Sequence, residues 1–230
     1  MPPKQPLEFY SEALAGVDRD ELQGKLVVIE GPDSVGRSTQ VARLRTWLEH
    51  KGHAVMDTGL ARGALAGKGI QQAKEGNTLG PITMTLFYAT DFADRLENEI
   101  IPALRAGFVV LTDRYIFSLM ARAIARNEDR SWIEKVAGFA LVPHATYYLR
   151  ADVRDLLTRV VLGRGAFDYW ESGMDMRFGA DMHDSFVRYQ TRVIRALDRM
   201  AKRYDFVVLD ANKTPDQIFR ELRRSIAKLF

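Results

Sequence analysis

Three stretches of this chain are almost continuously apolar and rich in β-branched residues: 25–30 (KLVVIE), 108–112 (FVVLT) and 206–210 (FVVLD). Runs this short, apolar on both faces, predict strands buried inside a sheet. Residues 54–57 and 146–150 are weaker strand candidates. Between successive strands lie long segments with apolar residues at helical spacing, such as 39–50 and 82–104. Strand and helix in alternation require crossover connections, hence a parallel sheet. A last helix is signalled by Thr214-Pro215-Asp216, a start sequence followed by Ile218, Leu222 and Ile226 on one stripe. The pattern therefore predicts an α/β fold in three layers, a five-stranded parallel sheet flanked by helices.

No repeat, low-complexity tract or Pro/Gly/Ser-rich linker divides the chain, so residues 25–230 are expected to form one domain. Residues 1–24 read as an N-terminal extension, either a short helix over 11–15 packed on the sheet edge or a partly disordered segment.

Composition narrows the function classes. With 47% hydrophobic and 27% charged residues, 230 residues can bury one sizeable core. The net charge of +3 is spread without long basic blocks, so no nucleic-acid partner is expected, whereas a local positive pocket for a small anion is compatible with it. The absence of cysteine excludes disulfides, thiolate metal sites and a cysteine nucleophile. The first 24 residues lack an apolar signal core and no later run reaches membrane-spanning length, so a cytoplasmic protein without membrane contact is expected. His50, His53, His144 and His183 show no metal-ligand spacing beyond one three-residue step, and the serines lack a nucleophile-elbow pattern.

The strongest chemical signal is Gly31-Pro32-Asp33-Ser34-Val35-Gly36-Arg37-Ser38-Thr39, directly after the first strand and before a helix. Such a loop bends round a phosphate chain with its amide hydrogens inward, and the helix adds the positive end of its dipole. Gly31 and Gly36 let the backbone approach closely, and Ser38 is the candidate hydroxyl ligand of Mg2+. Arg37 stands where the pattern asks for lysine. A planar guanidinium suits a fixed bidentate contact better than it follows a moving phosphoryl group, so slower chemistry is expected.

These motifs resemble the thymidylate kinase family of P-loop nucleoside monophosphate kinases, over most of residues 25–226. Glu30, Gly31 and Asp33 match the opening of its phosphate loop. The strand FVVLT followed by Asp113, Arg114 and Tyr115, with Phe117 and Ser118 beyond, matches its second signature. The resemblance implies a P-loop NTPase fold, ATP and Mg2+ as cofactors, and phosphorylation of dTMP to dTDP. It implies that residues 31–39, namely Gly31, Asp33, Ser34, Val35, Gly36, Arg37, Ser38 and Thr39, hold ATP together with Asn212 beside the adenine. Asp113 joins Ser38 at the metal. Arg114 clamps the acceptor phosphate, Asp33 receives the sugar 3′-hydroxyl, and Phe87 stacks on the base. Arg164 is the arginine of a lid at 163–178, which completes a catalytic set of Arg37, Asp33, Arg114 and Arg164. A homodimer through the helix near 83–104 is implied as well.

The chain departs from the family at several substrate-facing positions. Counted back from Pro102, the arginine that reads thymine falls on Phe92, and the following histidine on Arg95. Arg62 follows the second strand where the family has Thr-Arg-Glu, Tyr169 stands for a second lid arginine, and Arg122 for an aromatic residue. Phe92, Arg95, Tyr115, Ser118 and Arg122 therefore join the candidate substrate contacts. Three readings stay open: a dTMP kinase, a kinase of the same build with another acceptor, and an ATP-binding protein weakened by Arg37.

Overall fold

Alternate residues of each apolar run face opposite sides of the sheet, and this period of two generates two cores. In the computed structural model, which describes residues 7–11, 13–63, 65–76, 79–163 and 165–230, the strands are β1 (Lys25–Glu30), β2 (Val55–Gly59), β3 (Val109–Asp113), β4 (Ala145–Arg150) and β5 (Val207–Asp210). They form one all-parallel sheet in the order β2-β3-β1-β4-β5. Leu26, Val28, Val110 and Tyr148 enter the core on one face. Val27, Ile29, Val109, Leu111, Tyr147 and Leu149 enter the core on the other.

The helices are α1 (Arg37–His50), α2 (Gly67–Glu75), α3 (Pro81–Arg95), α4 (Ile101–Arg105), α5 (Ile116–Ala125), α6 (Arg130–Val136), α7 (Val153–Gly163), α8 (Met182–Arg203) and α9 (Pro215–Ile226). Residues of α3, α5 and α8 fill the first core; those of α1, α7 and α9 fill the second. The start signal at Thr214 is a capping box, with the Thr214 side chain and Gln217 each bonding the other's backbone.

Two expectations change. The segment expected as a helix over 82–104 is helical throughout but changes pitch: α3 passes through a π-helical turn, Leu96–Ile100, into α4. Pro102 has no N–H to donate to the preceding turn, and a wider turn absorbs the lost bond. No helix forms at residues 13–15. The described part of the N-terminal segment instead lays Leu7 and Phe9 into the core, with Phe9 in an antiparallel bridge to Leu141. Among the described residues, no helix is long and apolar enough to cross a membrane.

The register of the central strands places the site. Ile29 pairs with Asp113, and the Arg114 N–H donates to the Ile29 carbonyl at 3.0 Å. The loops leaving β1 and β3 therefore emerge side by side at the carboxyl edge of the sheet, where open parallel sheets form their ligand crevices.

Candidate active site

The loop between β1 and α1 needs its glycines. A Cβ on Gly31, at φ +154°, would lie 2.8 Å from both the Leu149 carbonyl oxygen and a Val35 methyl. Gly36, at φ +95°, would place its Cβ in open space, so there the constraint is backbone conformation alone. Gly36 is also the N-cap of α1 and supplies no capping side chain. The first-turn amide groups of this 14-residue helix are thus left to bind an anion from the cleft.

Arg37 folds back under this loop. Its Nε donates to Asp113 Oδ1 at 2.8 Å, its Nη1 to the Gly31 carbonyl at 2.7 Å and also to the Pro32 carbonyl. Ser38 Oγ donates to the second oxygen of Asp113. Burial pushes the Asp113 carboxyl pKa up, but Arg37 and Ser38 outweigh it and hold it below the usual carboxylate range. Arg62 reaches the same carboxylate at 3.7 Å. Ser38 and Asp113 form a pair of hard oxygen donors, the chemistry Mg2+ requires.

Asp33 is the second focus. It accepts from Arg114, from Arg122 Nη2 at 3.0 Å and from Gln190 Nε2 at 3.2 Å. Burial again opposes its charge, and Arg114, Arg122 and Arg37 override it, so its pKa is lowered. The Arg114 guanidinium is pushed down to about 10 by burial and by Arg37, against the pull of Asp33. Arg114 sits at φ +74°, a strained conformation for a non-glycine residue. Its side chain is steadied by Ser118 Oγ at 3.1 Å, and Ser118 in turn donates to Glu30 at 2.6 Å. Glu30, fully buried at the end of β1, also accepts from the N–H groups of Tyr115 and Ser118. It thereby caps α5 from a distant strand, because the N-cap residue Tyr115 supplies no side-chain bond.

Residues 33–39, Arg114 and Arg122 line a cleft of about 640 Å³ together with Leu60, Ala61, Lys74, Tyr88, Arg159, Gly163 and Glu171. A neighbouring cavity of about 470 Å³ shares Ala61, Lys74 and Tyr88 with it and is closed by Ile70, Tyr169 and Trp170 among others.

Other residues singled out from the sequence lie elsewhere. Phe92 and Arg95 are fully buried, the first edge-on to Tyr115 and the second bonded to Asp91 at 3.0 Å. Tyr115 is buried with its hydroxyl on the Leu141 carbonyl. Ser118 is buried behind Arg114. Phe87 is half-buried beside Gly69 of α2, and the next residue, Tyr88, faces the cleft in its place. Asn212 is exposed beside Arg159. Arg164 lies outside the described residues. Of the expected lid, residues 168–175 are tied down: Arg126 bonds Asp175 and the Trp170 carbonyl, the Trp170 indole donates to the Lys74 carbonyl, and Gln190 donates to the Glu171 carbonyl.

Sequence reasoning passed over Tyr88, Lys74, Arg159 and Gln190. Arg159 donates to the Val35 and Ala211 carbonyls, joining the phosphate loop to the loop after β5. Its signal was the helical spacing of α7, which puts Arg159 on the same side as Gly163, a residue that also lines the cleft.

Comparison with known proteins adds to this geometry. The family model described as thymidylate kinase matches residues 29–222. The chain is 31% identical to "Probable thymidylate kinase 2" of Saccharolobus solfataricus over 208 residues, 90% of this chain and 97% of that protein. It is 34% identical to "Thymidylate kinase" of Clavibacter sepedonicus over 209 residues, 88% of this chain and 94% of the other. A third relative, "Probable thymidylate kinase" of Pyrococcus horikoshii, is 31% identical over 162 residues, 68% of this chain and 78% of its own.

Proposed function

The chain belongs to the thymidylate kinase family, and on that premise we propose that it is a phosphotransferase that moves the γ-phosphoryl group of ATP onto the phosphate of dTMP, giving ADP and dTDP. The observation that carries the reading is the pairing of two carboxylates with four cations at one strand edge. Asp113 meets Arg37 and Arg62, and Asp33 meets Arg114 and Arg122.

In this reading the amide groups of residues 33–39 hold the polyphosphate, and Arg37 fixes the loop that presents them. A phosphate oxygen of the acceptor attacks the γ-phosphorus as the bond to the β,γ-bridging oxygen breaks. An acceptor phosphate is already an anion, so the protein's task is positioning and charge neutralisation. Arg114 holds that anion against the repulsion of the incoming group. Arg159 closes the nucleotide end between the phosphate loop and Ala211. Ser38 and Asp113 would hold Mg2+, which supplies charge neutralisation on the phosphate oxygens. Tyr88 offers its ring to the acceptor base, and Arg164 remains the proposed lid arginine.

We further take the protein to be cytoplasmic and to pair as a homodimer through α3, where Ile82 and Leu86 are 61% and 45% exposed. Light scattering of Leu86→Glu against the parent tests that interface.

A coupled assay with ATP, Mg2+ and each common nucleoside monophosphate tests the activity. ADP release with dTMP is expected. No turnover with any monophosphate, alongside retained ATP binding, would leave the weakened-kinase reading, in which Arg37→Lys should create activity.

A further inference from the structure

Besides Arg114, assigned above to the acceptor phosphate, the acceptor end of the cleft contains an arginine with hydrogen-bonding capacity to spare. Helix α3 offers nothing cationic there: Phe92 and Arg95 are 0% exposed, and Arg95 is turned onto Asp91. Arg126, the C-cap of α5, is fully engaged, with Nε and Nη2 on Asp175, Nη1 on the Tyr189 hydroxyl and Nη2 also on the Trp170 carbonyl.

Arg122, one turn earlier on α5, differs. Its Nη2 alone meets Asp33, at 3.0 and 3.4 Å, while Nε and Nη1 bond to no described residue. The guanidinium carbon lies 5.8 Å from the centre of the Tyr88 ring. Arg122 lines both the main cleft and an adjoining space of about 20 Å³, shared with Lys74, Tyr88, Arg126 and Trp170 among others. A space of that size holds a water and no heterocycle. A base seated beside Tyr88 in the main cleft, rather than in the cavity of about 470 Å³ that Tyr88 also lines, meets the two uncommitted nitrogens of Arg122. Burial opposes the charge of Arg122, yet Asp33 and Tyr88 more than offset it, so the group stays cationic at any working pH.

A guanidinium donates hydrogen bonds and accepts none. It matches a ring edge carrying carbonyl oxygens and is mismatched to an exocyclic amino group, which also donates. Lys74, which lines the same cleft and the same small space, is a compact point charge and lacks the planar fork that reads an edge. Resting on the kinase reading above, we infer that Arg122 is the specificity-determining residue of the acceptor site, selecting nucleoside monophosphates whose base presents carbonyl oxygen over those that present an amino group.

The test measures kcat/KM of the full chain, its Arg122→Gln variant and its Arg122→Lys variant with dTMP, dUMP and dCMP. The parent is expected to favour dTMP and dUMP over dCMP. Arg122→Gln should lower kcat/KM for the two oxo bases by roughly 10- to 100-fold more than for dCMP, the range of a lost bond to a charged donor, on top of the loss that all three share through Asp33. Arg122→Lys, which keeps a charge beside Asp33, should lose selectivity while retaining more of its overall rate. A parent without preference between dTMP and dCMP would overturn the inference. So would an Arg122→Gln variant that slows all three acceptors equally, because that is the signature of a residue that only steadies Asp33. Either result leaves the kinase reading intact, whereas a parent inactive with every acceptor fails that reading first.

Discussion

At its phosphate end the cleft is made of backbone: a loop whose φ angles and close approach to Leu149 fix its shape, and a helix start whose amide groups have no side-chain cap. At its acceptor end the cleft is made of side chains that hold one another, with Asp33 shared by Arg114, Arg122 and Gln190, and residues 168–175 tied to Arg126. The difference teaches where tolerance lies. A backbone cradle survives exchange of the side chains it displays, Arg37 with its bonds to Asp113 and the Gly31 carbonyl excepted, since its donors are main-chain groups. A network of buried charges does not, because removing one member strands another in a medium of low polarity.

The sharpest way to break this comparison is to strand a charge on purpose. Asp91, fully buried on α3, accepts from the N–H groups of Ala61 and Gly63 and from Arg95. Asp91→Ala leaves the Arg95 guanidinium buried without a counter-charge and should cost about 3–5 kcal/mol in denaturant unfolding. A cost under about 1 kcal/mol would mean that a buried charge pair of this protein does tolerate the loss of one member.

Arg114→Ala tests the acceptor end itself through activity. It removes the proposed clamp on the acceptor phosphate, and kcat/KM for dTMP should fall by roughly 10²–10³, the usual loss for one electrostatic donor. Retention of activity within tenfold would remove Arg114 from the site.

Gly36→Ala probes the cradle. Its Cβ meets nothing within 4 Å, so the expected cost is conformational, about 1–2 kcal/mol. The amide direction is preserved, so ATP affinity by calorimetry should change less than with Arg114→Ala changes dTMP affinity. The smallest effect is on pH dependence. Asp33 and Asp113 have lowered pKa values, so their stabilisation is present above the unfolded carboxylate pKa near about 3.9 and is lost as pH falls through their folded values. Glu30, raised by burial despite its bonds to Ser118 and Tyr115, works the other way: its contribution is full below about 4.3 and is lost as pH rises through its folded value. Asp113→Asn should therefore flatten the acid limb of a melting-temperature profile, and Glu30→Gln should flatten the limb above it.

The same contrast explains what could be read in advance. β1 and β3 were legible because double-sided burial writes itself as continuous apolar runs, and β1 begins and ends where its run does. β5, read from an equally apolar run as a buried strand, is instead an edge strand with Val207 and Val208 39% and 50% exposed, because no described strand pairs beyond it in the sheet order. The phosphate loop was legible because its glycines answer to local backbone geometry. Tyr88 was not, since one residue along a helix is a rotation of about 100° and only tertiary packing decides whether Phe87 or Tyr88 faces the cleft. The π-helical turn before Pro102 adds to that ambiguity by changing the phase between α3 and α4. Arg95 illustrates the converse, an arginine that sequence places near a ligand and the fold seals beside Asp91.

The most direct test of the account is a single-turnover reaction with γ-labelled ATP, Mg2+ and dTMP, with the label traced by separating the products. The account predicts label in dTDP, transferred without passing through free phosphate. Label that stays in ATP, or that appears only as inorganic phosphate, would contradict it.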